Sequence, residues 1–230
     1  MMSYLTPEQH KIVSNAVEEA ELTTSGEILT VLADRSDGYT DVALLWAAGL
    51  AFTMMSVFAT FPVPFLNVWD AVVVEALMGG WGHEWSTGEL ASMTIGLGLI
   101  TFAIVWAAQL WEPLKFAAVP GPVRMARVHA QAVRHFKVGA EARTMGRTGI
   151  LIYLSMREHR AEIVADEPIA QLVEPEVWGE AMVDMLKEIK RGRIAEGLAI
   201  GVRDVGFVLS QHFPRADDDE NELPDRLIEV

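Results

Sequence analysis

Two stretches of this chain carry no charge over a length that few soluble folds can bury. From Val42 to Trp69, and again from Leu90 to Trp111, there is no Asp, Glu, Lys or Arg. Val42–Phe61 alone supplies 20 residues, mostly Ala, Leu, Met, Phe and Val. As a helix it would cover roughly 30 Å, the thickness of a bilayer core. Pro62 and Pro64 then end the helix. The second run closes with Trp106 and Trp111, a residue type that collects at membrane–water boundaries. The two runs predict a transmembrane hairpin, and a buried helical hairpin inside a soluble domain is the competing reading.

Composition fits this segregation. The 230 residues carry a formal net charge of −14, yet the mean hydropathy is +0.23, so charge and apolar surface must occupy different segments. A pI of about 4.8 argues against nucleic acid as a partner, because phosphate contacts need a basic surface. The absence of cysteine rules out disulfides, thiolate metal sites and cysteine nucleophiles. The N-terminus, MMSYLTPEQHKIVSNAVEEAE, lacks the basic-then-apolar build of a signal peptide, so the chain is expected to start as folded protein.

Orientation follows from Lys and Arg. The connector Pro62–Glu89 has neither, while Asp70, Glu75, Glu84 and Glu89 are acidic. Arg35 precedes the first run, and Lys115, Arg124, Arg127 and Arg134 follow the second. The positive-inside rule then places the connector outside and both flanks, with both termini, in the cytoplasm of a bacterial-type inner membrane. Arg124, Arg127, Arg134 and Lys137 form a juxtamembrane basic group suited to lipid headgroups, each charge contributing about 1 kcal/mol beside anionic lipid. Pairing with the acidic helix at Glu18–Glu21 is the rival reading. In the connector, Leu66, Trp69, Val73 and Leu77 recur at helical spacing from an Asn67 N-cap until Gly79–Gly80. Trp69, Trp81 and Trp85 suit a segment on the membrane surface or against a partner protein. Small residues four apart (Ala43, Ala47 and Ala51; Ser92 and Gly96; Ala103 and Ala107) permit close helix packing, within one hairpin or between copies.

The segments flanking the runs read as a soluble domain. Thr6 caps a helix to about Thr23, with Ile12, Ala16, Val17 and Ala20 as its apolar face. Glu27–Ala33 alternates as a strand. After Pro120–Pro122 a helix runs to about Ala142 on a stripe of Ala126, Ala130, Val133, Phe136 and Ala140. Gly149–Met156 and Arg160–Asp166 form a hairpin, and helices Glu176–Arg191 and Ile194–His212 follow. A lone strand cannot satisfy its edges, so Glu27–Ala33 must pair with the later hairpin. Residues 1–41 and 112–230 are therefore parts of one cytoplasmic α/β domain, interrupted by a transmembrane hairpin at 42–111 with its external connector at 62–89.

Four strings in this order, AELTTSGEI (Ala20–Ile28), RTGILIYLSMREHRAEIVAD (Arg147–Asp166), VWGEAMVDMLKEIKRGRIAEGL (Val177–Leu198) and HFPRADDDENELPD (His212–Asp225), resemble the TPM domain family. The resemblance implies an α/β sandwich, a mixed sheet covered by helices and tethered to a membrane. It also implies roles in photosystem repair or receptor assembly and, in some members, acid phosphatase activity and calcium binding. The commoner layout exports the domain by a signal peptide and places a span after it, whereas here the hairpin interrupts the domain.

Catalytic residues are unknown from the sequence: there is no G-x-S-x-G elbow, P-loop or G-x-G-x-x-G after a strand. Asp34, Asp37 and Asp41, in the loop after the first strand, and Asp166, after the third, are the candidate ligands for a hard cation such as Ca or Mg. DRSDGYTD is not an EF-hand loop, because Gly38 falls one position early, and acidic turn residues are also ordinary loop chemistry. His129 and His135 are six apart and do not share a helix face, and Arg143, Arg147 and Arg157 are weak candidates for a phosphate clamp. The acidic run Asp217–Glu220 reads as a solvated tail, with Leu223, Leu227 and Ile228 able to dock. The function expected is a non-catalytic binding or assembly factor of a membrane protein complex, partnered by the bilayer and by another integral membrane protein or further copies of itself. The alternative is a metal-dependent phosphatase-type hydrolase.

Overall fold

The computed structural model describes residues 4–74, 84–141, 148–216, 223 and 226–230. Glu75, Leu77, Gly79, Gly80 and Trp81 of the connector, Arg143 and Arg147, and the run Asp217–Glu220 lie outside the described residues. The chain forms two compact units, Met1–Gly38 with Pro120–Val230, and Tyr39–Val119. The apolar unit thus takes in residues 39–41 and 112–119, beyond the 42–111 expected from hydropathy.

The first unit is α/β. A four-stranded mixed sheet has the order β3-β2-β1-β4, where β1 is Glu27–Ala33, β2 Gly149–Ser155, β3 Arg160–Ala165 and β4 Leu227–Glu229. β1 pairs in parallel with β2, from Glu27 opposite Gly149 to Ala33 opposite Ser155, and in parallel with β4 on its other side. β2 and β3 pair antiparallel. Because β1 and β2 are central and covered on both faces, all fourteen of their residues are buried, which explains their near-continuous apolar character.

Alternation along the strands divides the core. Ile28, Leu32, Ile150, Ile152 and Leu154 share a core with helices α1 (Pro7–Glu21), α7 (Glu167–Leu172), α8 (Pro175–Ile189) and α9 (Ile194–His212). Leu29, Val31, Leu151 and Tyr153 face α6 (Gly121–Phe136). α1 starts from the expected capping box, with Thr6 Oγ1 accepting from Gln9 N–H and Gln9 Oε1 accepting from Thr6 N–H. Its buried face is Val13, Ala16, Val17 and Ala20, so Val13 takes the place expected for Ile12, which is exposed. On α9 the expected face of Leu198, Val202, Val205 and Leu209 is wholly buried.

α6 buries the expected Phe136 but otherwise departs from expectation. It buries Val128, Ala132 and Phe136, while Ala126 and Ala130 are exposed. Alanine contributes little apolar area to fix a helix's rotation, and the larger Val128 and Phe136 side chains decide it. The helix then widens into a π-turn at Lys137–Glu141. Gly139 lies there against Leu29, where an added Cβ would fall 2.5 Å from Leu29 Cδ2.

The C-terminal segment, expected only to dock, completes the sheet as β4. It covers Thr30–Leu32 of β1, and Val230 O accepts from Asp34 N–H. Where β4 does not reach, buried carboxylates serve the same edge. Glu21 Oε1 accepts from Ile28 N–H at 2.8 Å, and Glu27 Oε2 accepts from Leu223 N–H at 3.1 Å. Two otherwise orphaned backbone donors are satisfied in this way.

In the second unit, α2 (Thr40–Thr60) and α4 (Thr87–Ala108) lie against each other, with α3 (Pro62–Trp69, continued by a π-turn at Asp70–Val74) and α5 (Glu112–Ala117) at their ends. Ala43, Ala47 and Ala51 form the buried stripe of α2. Its counterpart on α4 is Gly98, where an added Cβ would fall 2.4 Å from Met55 Sδ; Ser92, Ala103 and Ala107 are exposed. Gln109 Nε2 donates to Ala43 O at 3.0 Å and ties the two helices together.

Candidate functional site

The carboxyl ends of β1 and β2 gather the polar groups of the first unit. In parallel sheets the carboxyl ends of the strands are where loops assemble sites. The ladder runs on beyond the strands, with Met156 N–H donating to Ala33 O and Arg157 N–H to Asp34 O. This brings the loop after β1 against the β2–β3 turn. His159, at φ 51°, makes that turn in the left-handed region, one that histidine enters more readily than branched residues.

A buried chain of hydroxyls joins the two loops. Ser36 Oγ lies 3.1 Å from the Tyr153 hydroxyl and donates to Ser155 Oγ at 3.0 Å. Ser155 Oγ in turn donates to a Glu158 carboxylate oxygen. The other Glu158 oxygen accepts from Ser36 N–H at 3.0 Å. Tyr153, Ser155 and Glu158 are all at most 1% exposed. Burial pushes the Tyr153 phenol above its usual range. The ring of His135 stacks on Tyr153 at 5.7 Å, and burial, with Arg134 nearby, holds its imidazole below the ordinary range. With its hydroxyls and carboxylate turned inward, this cluster fastens one loop to the other.

Around it lie paired carboxylates at Asp34, Asp37 and Glu229. The Tyr4 hydroxyl donates to Asp34 Oδ1, and Arg157 Nε donates to the same oxygen at 3.1 Å. The Tyr4 hydrogen bond foremost, and Arg157 after it, hold the Asp34 carboxyl below the usual range against partial burial, which acts the other way. Asp37 pairs with Arg127 at 3.0 Å. Glu229 of β4 accepts from Tyr4 N–H and Leu5 N–H, and pairs with His10 at 2.9 Å.

The four aspartates proposed as metal ligands are not brought together. Asp34 and Asp37 are engaged with the partners just described. Asp166 is at the opposite end of the sheet, where its Oδ2 accepts from Gly149 N–H at 2.9 Å. Since Gly149 opens β2 and Asp34 follows β1, a seven-residue strand of roughly 20 Å separates them. β3 runs antiparallel, so its carboxyl end meets the amino end of β2. Asp41 belongs to the other unit, in the first turn of α2. Among the described residues, no group of three or more His, Asp or Glu side chains is placed to hold a metal ion.

Of the basic group on α6, Arg127, Arg134 and Lys137 are exposed and Arg124 is half-buried. Arg127 is engaged with Asp37, and Arg134 donates to Gln131 Oε1 at 3.2 Å. In the second unit Trp69 and Trp111 are exposed, Trp85 and Trp106 are half-buried, and Trp106 stacks on Phe102. Trp81 is outside the described residues.

No family model and no curated protein matches the chain. Among solved structures it is similar to the NMR structure of the BA42 protein from the psychrophilic bacterium Bizionia argentinensis. The TM-score is 0.56 at 18% identity, covering 100% of this chain and 98% of that one. The likeness is one of fold.

Ser36, Tyr153, Ser155, Glu158 and Tyr4 went unseen in the sequence. Their one legible trace is Arg157-Glu158-His159, which reads as a turn. Phenylalanine at Tyr4 should raise the Asp34 pKa toward its ordinary value of about 3.9. Because the folded-state pKa is depressed, the stability Asp34 contributes is present above the unfolded-state value and is lost as pH falls through the folded one. Carboxyl NMR titration of the intact protein should show Asp34 moving up in Tyr4→Phe; an unmoved Asp34 would assign the depression to Arg157 instead.

Proposed function

We propose that this is a membrane-anchored TPM-like protein whose α/β unit binds or helps assemble a membrane protein complex, without catalysing a reaction. The observation that carries the anchoring is the outward surface of the second unit. α2 and α4 are long and apolar enough to cross a membrane, yet only 28% and 6% of their apolar windows are buried. A core helix of a soluble protein would be mostly covered. Leu45, Phe52, Leu99 and Ile104 are each more than 60% exposed, and apolar side chains exposed in such number are a mark of a membrane or protein contact. A bilayer is the solvent that such a surface matches.

The binding role is supported by the inward-turned polar cluster, which holds loops rather than offering a nucleophile. The partner is another integral membrane protein or further copies of this chain. The Lys and Arg distribution supports two spans of a bacterial-type inner membrane with both termini cytoplasmic.

The absence of cysteine makes the test direct. In the intact protein, Ser86→Cys in the connector should react with a membrane-impermeant maleimide in spheroplasts, and Ser210→Cys on α9 only after lysis. Alkaline carbonate should leave the protein in the membrane fraction. Extraction by carbonate, or the reverse labelling, overturns the anchoring. Recovery from mild detergent always as a lone single chain overturns the assembly role.

A further inference from the structure

One edge of the α/β sheet is served and the other is open. β4 and the Glu21 carboxylate meet the outer side of β1, whereas β3 ends the sheet and has no strand beyond it among the described residues. The ladder fixes where its backbone groups point. Asp166 N–H donates to Gly149 O, so the groups of residues 160, 162 and 164 also point at β2. Those of Ala161, Ile163 and Ala165 point away from it. The side chains of these three join the core under α8 and α9, and Val164 joins the core under α6, so both faces of the strand are covered while its side is not. Every residue of β3 is accordingly half-buried, in contrast to β1 and β2.

An open edge is a template for another strand, and folds commonly blunt it with Pro, Lys or a bulge. β3 contains no Pro or Lys and pairs with β2 residue by residue from Arg160 to Ala165 without a bulge. Its charged residues, Arg160 and Glu162, belong to the α6 face, where Glu162 lies 3.5 Å from His129 Nδ1. His129 thereby marks the side of α6 nearest the edge, and Met125, one turn before it, is exposed.

The strand is its own complement. Antiparallel pairing about a two-fold axis must match outward groups with outward groups, and the axis can fall at any of residues 161–165. At 162 it sets Glu162 opposite Glu162, and at 164 it sets Glu162 opposite Asp166, like charges in both cases. At 161 or 165 a single outward pair forms before the strand ends, in the left-handed backbone of His159 or in the helix that begins at Glu167. At Ile163 every outward group finds a partner: Ala161 meets Ala165, Ile163 meets Ile163, and Glu162 comes opposite Val164. Arg160, which has no ion partner among the described residues, then comes opposite Asp166 of the second copy. A strand that satisfies all its outward groups with itself, and sets opposite charges against each other in doing so, specifies a second copy of this chain.

We propose that two copies of this protein join by antiparallel pairing of their β3 strands about a two-fold axis at Ile163, extending both sheets into one. The inference deepens the reading above by choosing a second copy as the partner.

The test uses the full chain in mild detergent, with its mass read by light scattering. Wild type should be a dimer. Ala161→Pro removes an outward N–H without touching the bonds to β2, and proline is tolerated on an edge strand, so this variant should fall to single chains. Arg160→Glu turns two attractive cross-strand pairs into repulsive ones and should weaken the dimer roughly tenfold, which keeps the test open if Ala161→Pro does not fold. The register is read by oxidising single cysteines in a chain that otherwise has none. Ile163→Cys meets its own copy at a Cα separation of about 5.5 Å and should link the chains. Two Glu162→Cys residues lie about 8 Å apart and should not link. No linking at 163, or linking at 162, overturns the register. A dimer that withstands both Ala161→Pro and Arg160→Glu overturns β3 as the interface. If wild type is a single chain, the β3 proposal fails; the assembly reading survives when another membrane protein is recovered with it, and fails as well when none is.

Discussion

Alanine at Gly206 is expected to destabilise the α/β unit by about 1–3 kcal/mol, although glycine-to-alanine changes inside exposed helices usually stabilise by about 1 kcal/mol. Gly206 lies in α9 where that helix crosses α1. A Cβ there would fall 2.6 Å from Ala20 Cβ and 3.4 Å from Ala20 Cα. Neither atom is at the end of a flexible side chain, so the helices must separate, and both lie over the buried face of β1 and β2. The clash therefore outweighs the gain in helix propensity. Urea unfolding of the intact protein in detergent should show a lower midpoint for Gly206→Ala and a still lower one for Gly206→Val. Adding Ala20→Gly to Gly206→Ala should recover most of the loss, since the two positions share one contact. A stabilised Gly206→Ala would mean that the helices sit further apart than described. The same packing recurs at Gly197, where a Cβ would fall 2.8 Å from the backbone oxygen of Met185 in α8.

Removing the Glu158 carboxylate should be comparably costly. Glu158→Ala leaves the half-buried Ser36 N–H and the buried Ser155 hydroxyl without their acceptor. Two stranded donors cost roughly 2–4 kcal/mol. Glu158→Gln keeps the shape, and its carbonyl oxygen still accepts from one donor while the Ser155 hydroxyl rotates to accept from the amide, so its loss should be smaller. Amide hydrogen exchange separates a local from a global effect. In Glu158→Ala, protection should fall first at Ser36 and in the 156–159 turn, before the centres of β1 and β2. Equal stability of Glu158→Ala and wild type would show that the hydroxyl chain does not hold the loops.

Much of the architecture was legible because it depends on local pattern. The capping box at Thr6–Gln9, the alternation in Glu27–Ala33 and the face of α9 each follow from side chains a few residues apart, and each element lies close to where the pattern put it. The fold class, α/β, followed from the order of those elements, while the mixed sheet was expected only from the family resemblance. α6 is less legible: a stripe rich in alanine hardly weights one rotation over another, so only Phe136 of the expected face is buried, and Val128 and Ala132 replace the alanines that spacing selected.

By itself the sequence determined the two long uncharged helices and the division of the α/β elements on either side of them. Length, charge and periodicity are properties of contiguous residues and need no partner to be read. Only the tertiary structure decided which carboxylates meet. The antiparallel return of β3 carries Asp166 to the amino end of β2, away from Asp34. β4, three residues long, is a strand only because β1 offers an edge nearly 200 positions earlier. Glu158 finds its donors in Ser36, across 122 positions, and in Ser155 beside it. Hydrogen-bond partners of buried groups are selected by strand direction and register, and these are set by the whole sheet rather than by any segment of it.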